Sequence, residues 1–178
     1  MNIVLIGLRG CGKSSVSRLL AKMSKRSVLS TDLLFSYENG GQSIADYVAA
    51  CQGDWRPFRA QEYQIICKAA ALDHIIIDCG GGIVVDCNEH RQEIFSYRKV
   101  KMLRRNGRLF WLHGDLPRLA AKVQTDRSRP NLSSQLPLLT LMERRLPFYQ
   151  QAAHHTILID NKSRQEIAHE ILALSMDG

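Results

Sequence analysis

An α/β fold, with a five-stranded parallel sheet flanked by helices, is predicted by two observations on this sequence. Short apolar runs rich in β-branched residues alternate along the whole chain with stretches of helical spacing. A glycine-rich segment, GLRGCGKSS at 7–15, separates the first such run from the first such stretch. In open parallel sheets the ligand crevice lies beyond the carboxyl ends of the strands, where that segment falls. With 178 residues the chain can bury one substantial core, so residues 1–178 are expected to form a single domain.

The elements follow in order. NIVLIG (2–7) is the first strand, uniformly apolar as a strand covered on both faces should be. SSVSRLLAKMSK (14–25) has helical spacing, with Val16, Leu19, Leu20 and Met23 on one face. SVLST (27–31) is the second strand. SIADYVAAC (43–51) opens on a serine cap and carries Ile44, Tyr47 and Val48. Residues 59–72 form a longer helix, and HIIID (74–78) is the third strand. KMLRRNGR (101–108), the densest basic patch, reads as a solvated loop before the fourth strand, RLFWLH (108–113). Helices are expected at LPRLAAKV (116–123) and LLTLMERRLPFYQQAA (138–153), the latter broken or kinked at Pro147. TILID (156–160) is the fifth strand, and RQEIAHEILALS (164–175) is the last helix. Chemistry is therefore expected just after residues 7, 31, 78 and 113.

Composition narrows the function. The net charge of +7 suits an anionic partner. The cations form no long tract, and the few aromatics do not interleave with them as a stacking platform requires, so no nucleic-acid partner is expected. No apolar run approaches the ~20 residues of a membrane helix, so no membrane partner is expected. The start of the chain lacks the basic region of a signal peptide, and the five cysteines are scattered without a CxxC pair. A cytoplasmic monomer without disulfides or zinc is the expectation.

GLRGCGKSS matches G-x-x-x-x-G-K-[ST] through Gly7, Gly12, Lys13 and Ser14, between a strand and a helix. Glycines let the loop turn its N–H groups onto phosphate oxygens, and the following helix adds the positive end of its dipole. Lys13 reaches the β- and γ-phosphates, and the Ser14 hydroxyl can ligate Mg²⁺. ATP with Mg²⁺ is the expected nucleotide, held by Gly10, Cys11, Gly12, Lys13, Ser14 and Ser15.

The acceptor side is assembled from single residues. Asp32 follows the second strand, where it either caps a helix or holds an acceptor hydroxyl. Arg59 is either a carboxylate clamp or a surface arginine. Asp78 ends the third strand, and Gly80, Gly81 and Gly82 follow it, a run that lets a ligand approach the backbone. TDRSRPNL (125–132), with Arg127 and Arg129, has the polar, breaker-rich character of a lid, expected over about 122–135. ERRLPFYQQAA (143–153) carries Arg145.

Taken in order, GLRGCGKSS, Asp32, SIADY, FRAQE, GGG, the RP of the lid and RLPFY followed by QQAA resemble the shikimate kinases, a family of nucleoside-monophosphate-kinase-like P-loop kinases. The resemblance spans residues 2 to about 155. It implies transfer of the γ-phosphate of MgATP to the 3-hydroxyl of shikimate, a step of aromatic amino-acid biosynthesis. It further implies that Asp32 binds ring hydroxyls near the attacked oxygen, and that Arg59 and Arg145 grip the carboxylate. Gly80–Gly82 would face the ring, and Arg129 would close over the phosphates with Lys13. The acceptor-binding segment would be about 32–62.

The sequence departs from the family pattern in three places. Ser30 stands where the family has the first aspartate of Asp-x-Asp, while Asp78 supplies an acidic strand end, so Ser14 and Asp78 are the expected metal-side pair. The stretch from Asp32 to Arg59 is a residue or two longer. Lys122 stands where the family has an arginine against the base, with Arg164 a second candidate contact. Two other readings stay open: a kinase for another hydroxylated acid of the gluconate type, and a nucleotide-binding regulator without kinase activity.

Overall fold

The computed structural model describes residues 1–125 and 137–176. In chain order its elements begin with β1 (Asn2–Ile6), α1 (Lys13–Ser24), β2 (Val28–Ser30), α2 (Thr31–Glu38), α3 (Ile44–Ala50), α4 (Arg56–Ala70) and β3 (Ile76–Asp78). They continue through β4 (Val85–Cys87), β5 (Glu93–Phe95), α5 (Tyr97–Arg105), β6 (Gly107–His113) and α6 (Leu116–Thr125). α7 (Leu138–Ala152), β7 (His155–Leu158) and α8 (Arg164–Met176) close the chain.

Five strands form one sheet in the order β2-β3-β1-β6-β7. Every neighbouring pair is parallel. β1 lies in the middle and is buried along its whole length, which is why NIVLI shows no polar alternation. All five expected strands are therefore present. The main core gathers the sheet strands with Val16 and Leu20 of α1, Ile66 and Ala69 of α4, and Ile167 and Ile171 of α8. A separate small core of Phe35, Val48, Phe58 and Ile65 ties α2, α3 and α4 together, so the segment between Asp32 and Arg59 is a packed unit. Among the described residues no helix is long and apolar enough to cross a membrane.

Several local expectations change. The basic stretch at 101–108 is not a solvated loop: α5 runs to Arg105 and buries Lys99, Val100 and Leu103, while Lys101, Arg104 and Arg105 face out. An antiparallel pair, β4 with β5, precedes it and stands outside the main sheet. α4 begins three residues earlier than expected. Pro57 in its first turn is compatible with a helix start, and the Asp54 carboxylate accepts from the Arg56 N–H at 2.9 Å. α7 continues through Pro147 without ending, because its face of Leu141, Met142, Arg145, Tyr149 and Ala152 is buried along its length. α2 starts directly at the end of β2, with Ser30 rather than Asp32 as its N-cap.

Candidate active site

The carboxyl ends of β1, β2 and β3 converge on a cavity of about 660 Å³. One wall is the loop after β1. Gly12 is the N-cap of α1 at φ 92°, a left-handed conformation that glycine adopts without strain. Among the described residues no side chain caps α1, and no acidic residue lies in its first turn, an arrangement suited to an anion at its positive end. Lys13 is buried, and its Nζ donates to the carbonyls of Gly7 at 2.8 Å and Leu8 at 3.0 Å. Gly10, Gly12, Lys13, Ser14 and Ser15 line the cavity. Cys11 is buried behind the loop, 3.7 Å from the Lys13 Nζ, and lines neither this cavity nor the next.

Across the cavity stand Ser30, Asp32 and Asp78. Ser30 and Asp78 are register partners on adjacent parallel strands. The Ser30 hydroxyl accepts from the Leu33 N–H at 3.4 Å, so Ser30 is the helix cap. Of the two readings of Asp32, capping is thereby excluded. Asp32 sits in the first turn of α2 and turns into the crevice. Thr31 accepts from the Gly80 N–H at 2.9 Å, pinning the glycine run against the start of α2.

Beyond Asp32 a second cavity of about 250 Å³ opens, walled by Ile44, Trp55 and Phe58 and by Arg59, Gly80–Gly82 and Arg145. Arg59 is buried rather than on the surface. Its Nη1 donates to Glu62 at 2.9 Å, and its Cζ lies 5.1 Å from the Trp55 ring centroid. Its Nε is a buried side-chain atom without a hydrogen-bond partner among the described residues. Burial pulls the Arg59 pKa down, but the Glu62 carboxylate, with Glu93 farther off, outweighs it and holds the guanidinium above its ordinary value. Lys99, wholly buried on α5, donates to the same Glu62 oxygen at 2.6 Å and to the Val85 carbonyl. Arg145 donates through Nε to Glu93 at 2.9 Å, through Nη2 to the other Glu93 oxygen, and through Nη1 to the Gly81 carbonyl at 3.4 Å. The Tyr149 hydroxyl donates to the same carbonyl.

The glycine run makes room for protein side chains. A Cβ on Gly80 would lie 2.3 Å from the Asp32 Oδ1, one on Gly81 3.0 Å from the Arg9 Cγ, and one on Gly82 2.5 Å from an Arg59 nitrogen. The expectation that the run clears space for a ligand ring is thus modified: the space holds the three side chains that border the crevice.

Arg9, Asp32, Leu33, Gly80 and Gly81 line both cavities and mark their junction. Sequence reasoning passed over Arg9, Glu62, Glu93 and Lys99. Arg9 lies inside the quoted loop, and Glu62 stands one helical turn from Arg59, so both had a local signal; Glu93 and Lys99 had none. Lys122 lines the nucleotide cavity and donates to the Gly10 carbonyl at 3.0 Å. Arg164 is exposed at the first residue of α8 and lines neither cavity. Arg127, Arg129 and most of the expected lid lie outside the described residues. Among the described residues no group of three or more His, Cys, Asp or Glu could hold a metal ion. Mg²⁺, which keeps several waters and binds through one or two protein oxygens and phosphates, needs no such group, and the oxygens of Ser14 and Asp78 fit that demand.

Residues 9–175 match the family model described as Shikimate kinase. A shikimate kinase of Leptospira biflexa serovar Patoc is 44% identical over 172 residues, covering 97% of this chain and 94% of that protein. One from Symbiobacterium thermophilum is 39% identical over 177 residues, covering 97% and 94%. Among solved structures, a shikimate kinase from Acinetobacter baumannii in complex with shikimate has the same fold, with a TM-score of 0.81 at 24% identity over 98% of this chain and 92% of that one.

Proposed function

This chain belongs to the shikimate kinase family, and from that membership we propose that it transfers the γ-phosphate of MgATP to the 3-hydroxyl of shikimate. The observation that carries the reading is the junction of two unlike cavities. One is built for phosphates and the other holds two buried arginines, and they meet at Asp32 and the glycine run. A hydroxylated carboxylate fits the second: its anion goes to Arg59 and Arg145, its ring lies between Ile44, Trp55 and Phe58, and its hydroxyls reach Asp32.

In this reading Lys13 and the loop N–H groups neutralise the β- and γ-phosphates. Asp32 accepts a hydrogen bond from the attacking hydroxyl and aims its oxygen in line. Arg59, on the cavity wall, and the remaining donors of Arg145 receive the acceptor carboxylate. Ser14 and Asp78 would hold Mg²⁺, which supplies charge neutralisation on the phosphates. Arg129, carried over from the resemblance, adds a further charge. The five cysteines are free, and a cytoplasmic monomer acting on small molecules completes the proposal.

The test is ADP release from MgATP with shikimate, with gluconate and with no acceptor. Release that depends on shikimate and is absent with gluconate is the expected outcome. No stimulation by shikimate would overturn the reading.

A further inference from the structure

The hairpin and helix spanning residues 85–105 line neither cavity, yet each arginine proposed to grip the carboxylate is tied to them. Lys99 of α5 reaches Arg59 through Glu62, and Glu93 of β5 holds Arg145 directly. Lys99 and Glu62 have a clear structural role as a buried pair. Glu93 is different: its side chain is 22% exposed, and no core packing requires a carboxylate there.

We propose that Glu93 is a positioning residue that sets acceptor specificity, fixing the Arg145 fork so that the acceptor carboxylate is received in one orientation. The inference rests on the shikimate kinase reading above. A guanidinium has five N–H groups. Glu93 takes the Nε–H and one Nη2–H on its two oxygens, the side-on bidentate arrangement. The Gly81 carbonyl takes one Nη1–H. One N–H on each Nη remains, and Arg145 forms part of the acceptor cavity wall. An incoming carboxylate therefore meets a fork whose plane is already set.

The support for Glu93 is itself rigid. Asp86, at the other side of the hairpin, accepts from Ser96 at 2.7 Å and from two nitrogens of Arg98 at 2.8 Å each. The β4–β5 register places Asp86 opposite Ile94, next to Glu93. A site residue carried on an anchored element keeps its orientation better than one on a free loop. Charge adds a second selection. Arg9, Arg59 and Arg145 against Asp32 and Glu62 leave one net positive charge along the cavity wall, matched to a monocarboxylate rather than a dianion, and the charges of Lys99 and Glu93 behind it leave that balance unchanged.

The experiment is steady-state kinetics of Glu93→Gln, an isosteric change, and of Glu93→Asp, which keeps the charge but falls one methylene short. For Glu93→Gln the KM for shikimate should rise about tenfold, with kcat within about twofold and the KM for ATP unchanged. Glu93→Asp should fall between Gln and the wild type. In an Arg145→Ala background, Glu93→Gln should change kcat/KM for shikimate by less than about twofold, because the fork it positions is gone. An unchanged or lowered KM in Glu93→Gln overturns the inference, as does a loss that persists undiminished without Arg145. Wild-type protein with no shikimate-dependent ADP release overturns the function and the inference with it. Normal wild-type turnover with an indistinguishable Glu93→Gln overturns the inference alone.

Discussion

At Gly80 one added methyl group would sit 2.3 Å from a carboxylate oxygen of Asp32. Gly80→Ala must therefore push Asp32 away from the junction of the two cavities. Turnover should fall about a hundredfold, since roughly 1 Å of misplacement costs that much, while ADP binding measured by calorimetry should hold. The arginines should respond in the opposite sense. On the proposed function, Arg59→Ala or Arg145→Ala would remove a buried partner of the acceptor carboxylate and should weaken acceptor binding by about 2–5 kcal/mol, read as a raised KM with kcat at saturation less affected. Unchanged acceptor binding with a lost kcat in both variants would contradict their assignment.

At the scale of elements, the register of β2 against β3 matters most. It sets Ser30 beside Asp78, so a carboxylate missing from one strand is available on its neighbour. Asp78→Asn should shift the Mg²⁺ concentration needed for half-maximal activity upward, and an unshifted titration would remove Asp78 from the metal side. α5 has a different vulnerability. Its Lys99 is wholly buried, with burial pulling its pKa down against the Glu62 carboxylate. Lys99→Ala breaks a buried pair and should cost about 3 kcal/mol, a fall in melting temperature of roughly 10 °C by differential scanning calorimetry. The hairpin beside it is acid-sensitive. Burial pushes the Asp86 pKa up, but hydrogen bonds from Arg98 and Ser96 outweigh it and leave the pKa below the ordinary value. The stabilisation is therefore complete above the unfolded pKa near ~3.9 and is lost as pH falls through the lower folded value. Asp86→Asn should flatten the low-pH limb of a melting-temperature profile below about pH 4.

For the whole molecule, the sequence carried the fold because its strands are contiguous apolar runs and its phosphate loop is a contiguous motif. α5 was hidden by its own charges: Lys99, Lys101, Arg104 and Arg105 crowd a helix whose buried face is only Lys99, Val100 and Leu103. β4 and β5, three residues each, are too short to show a period. The site was legible where residues act through a local pattern and illegible where they act in pairs. Arg145 was identified, but its partner Glu93 lies 52 residues away and only tertiary structure joins them. Ser30 read as a missing carboxylate; in the fold it is the helix cap that leaves Asp32 uncommitted to capping.

Lys13 bonded to the carbonyls of its own loop bears on how mutants of that loop are interpreted. The ammonium already has a resting place, so on the proposed function nucleotide capture would trade two carbonyls for phosphate oxygens. Its removal would then do two things at once: delete the proposed phosphate contact and take away a strut of the loop. A Lys13→Met variant compared with wild type in the absence of nucleotide, by hydrogen exchange over residues 7–12, separates the two contributions. Without that comparison, a lost affinity would be credited wholly to chemistry when part of it is architecture.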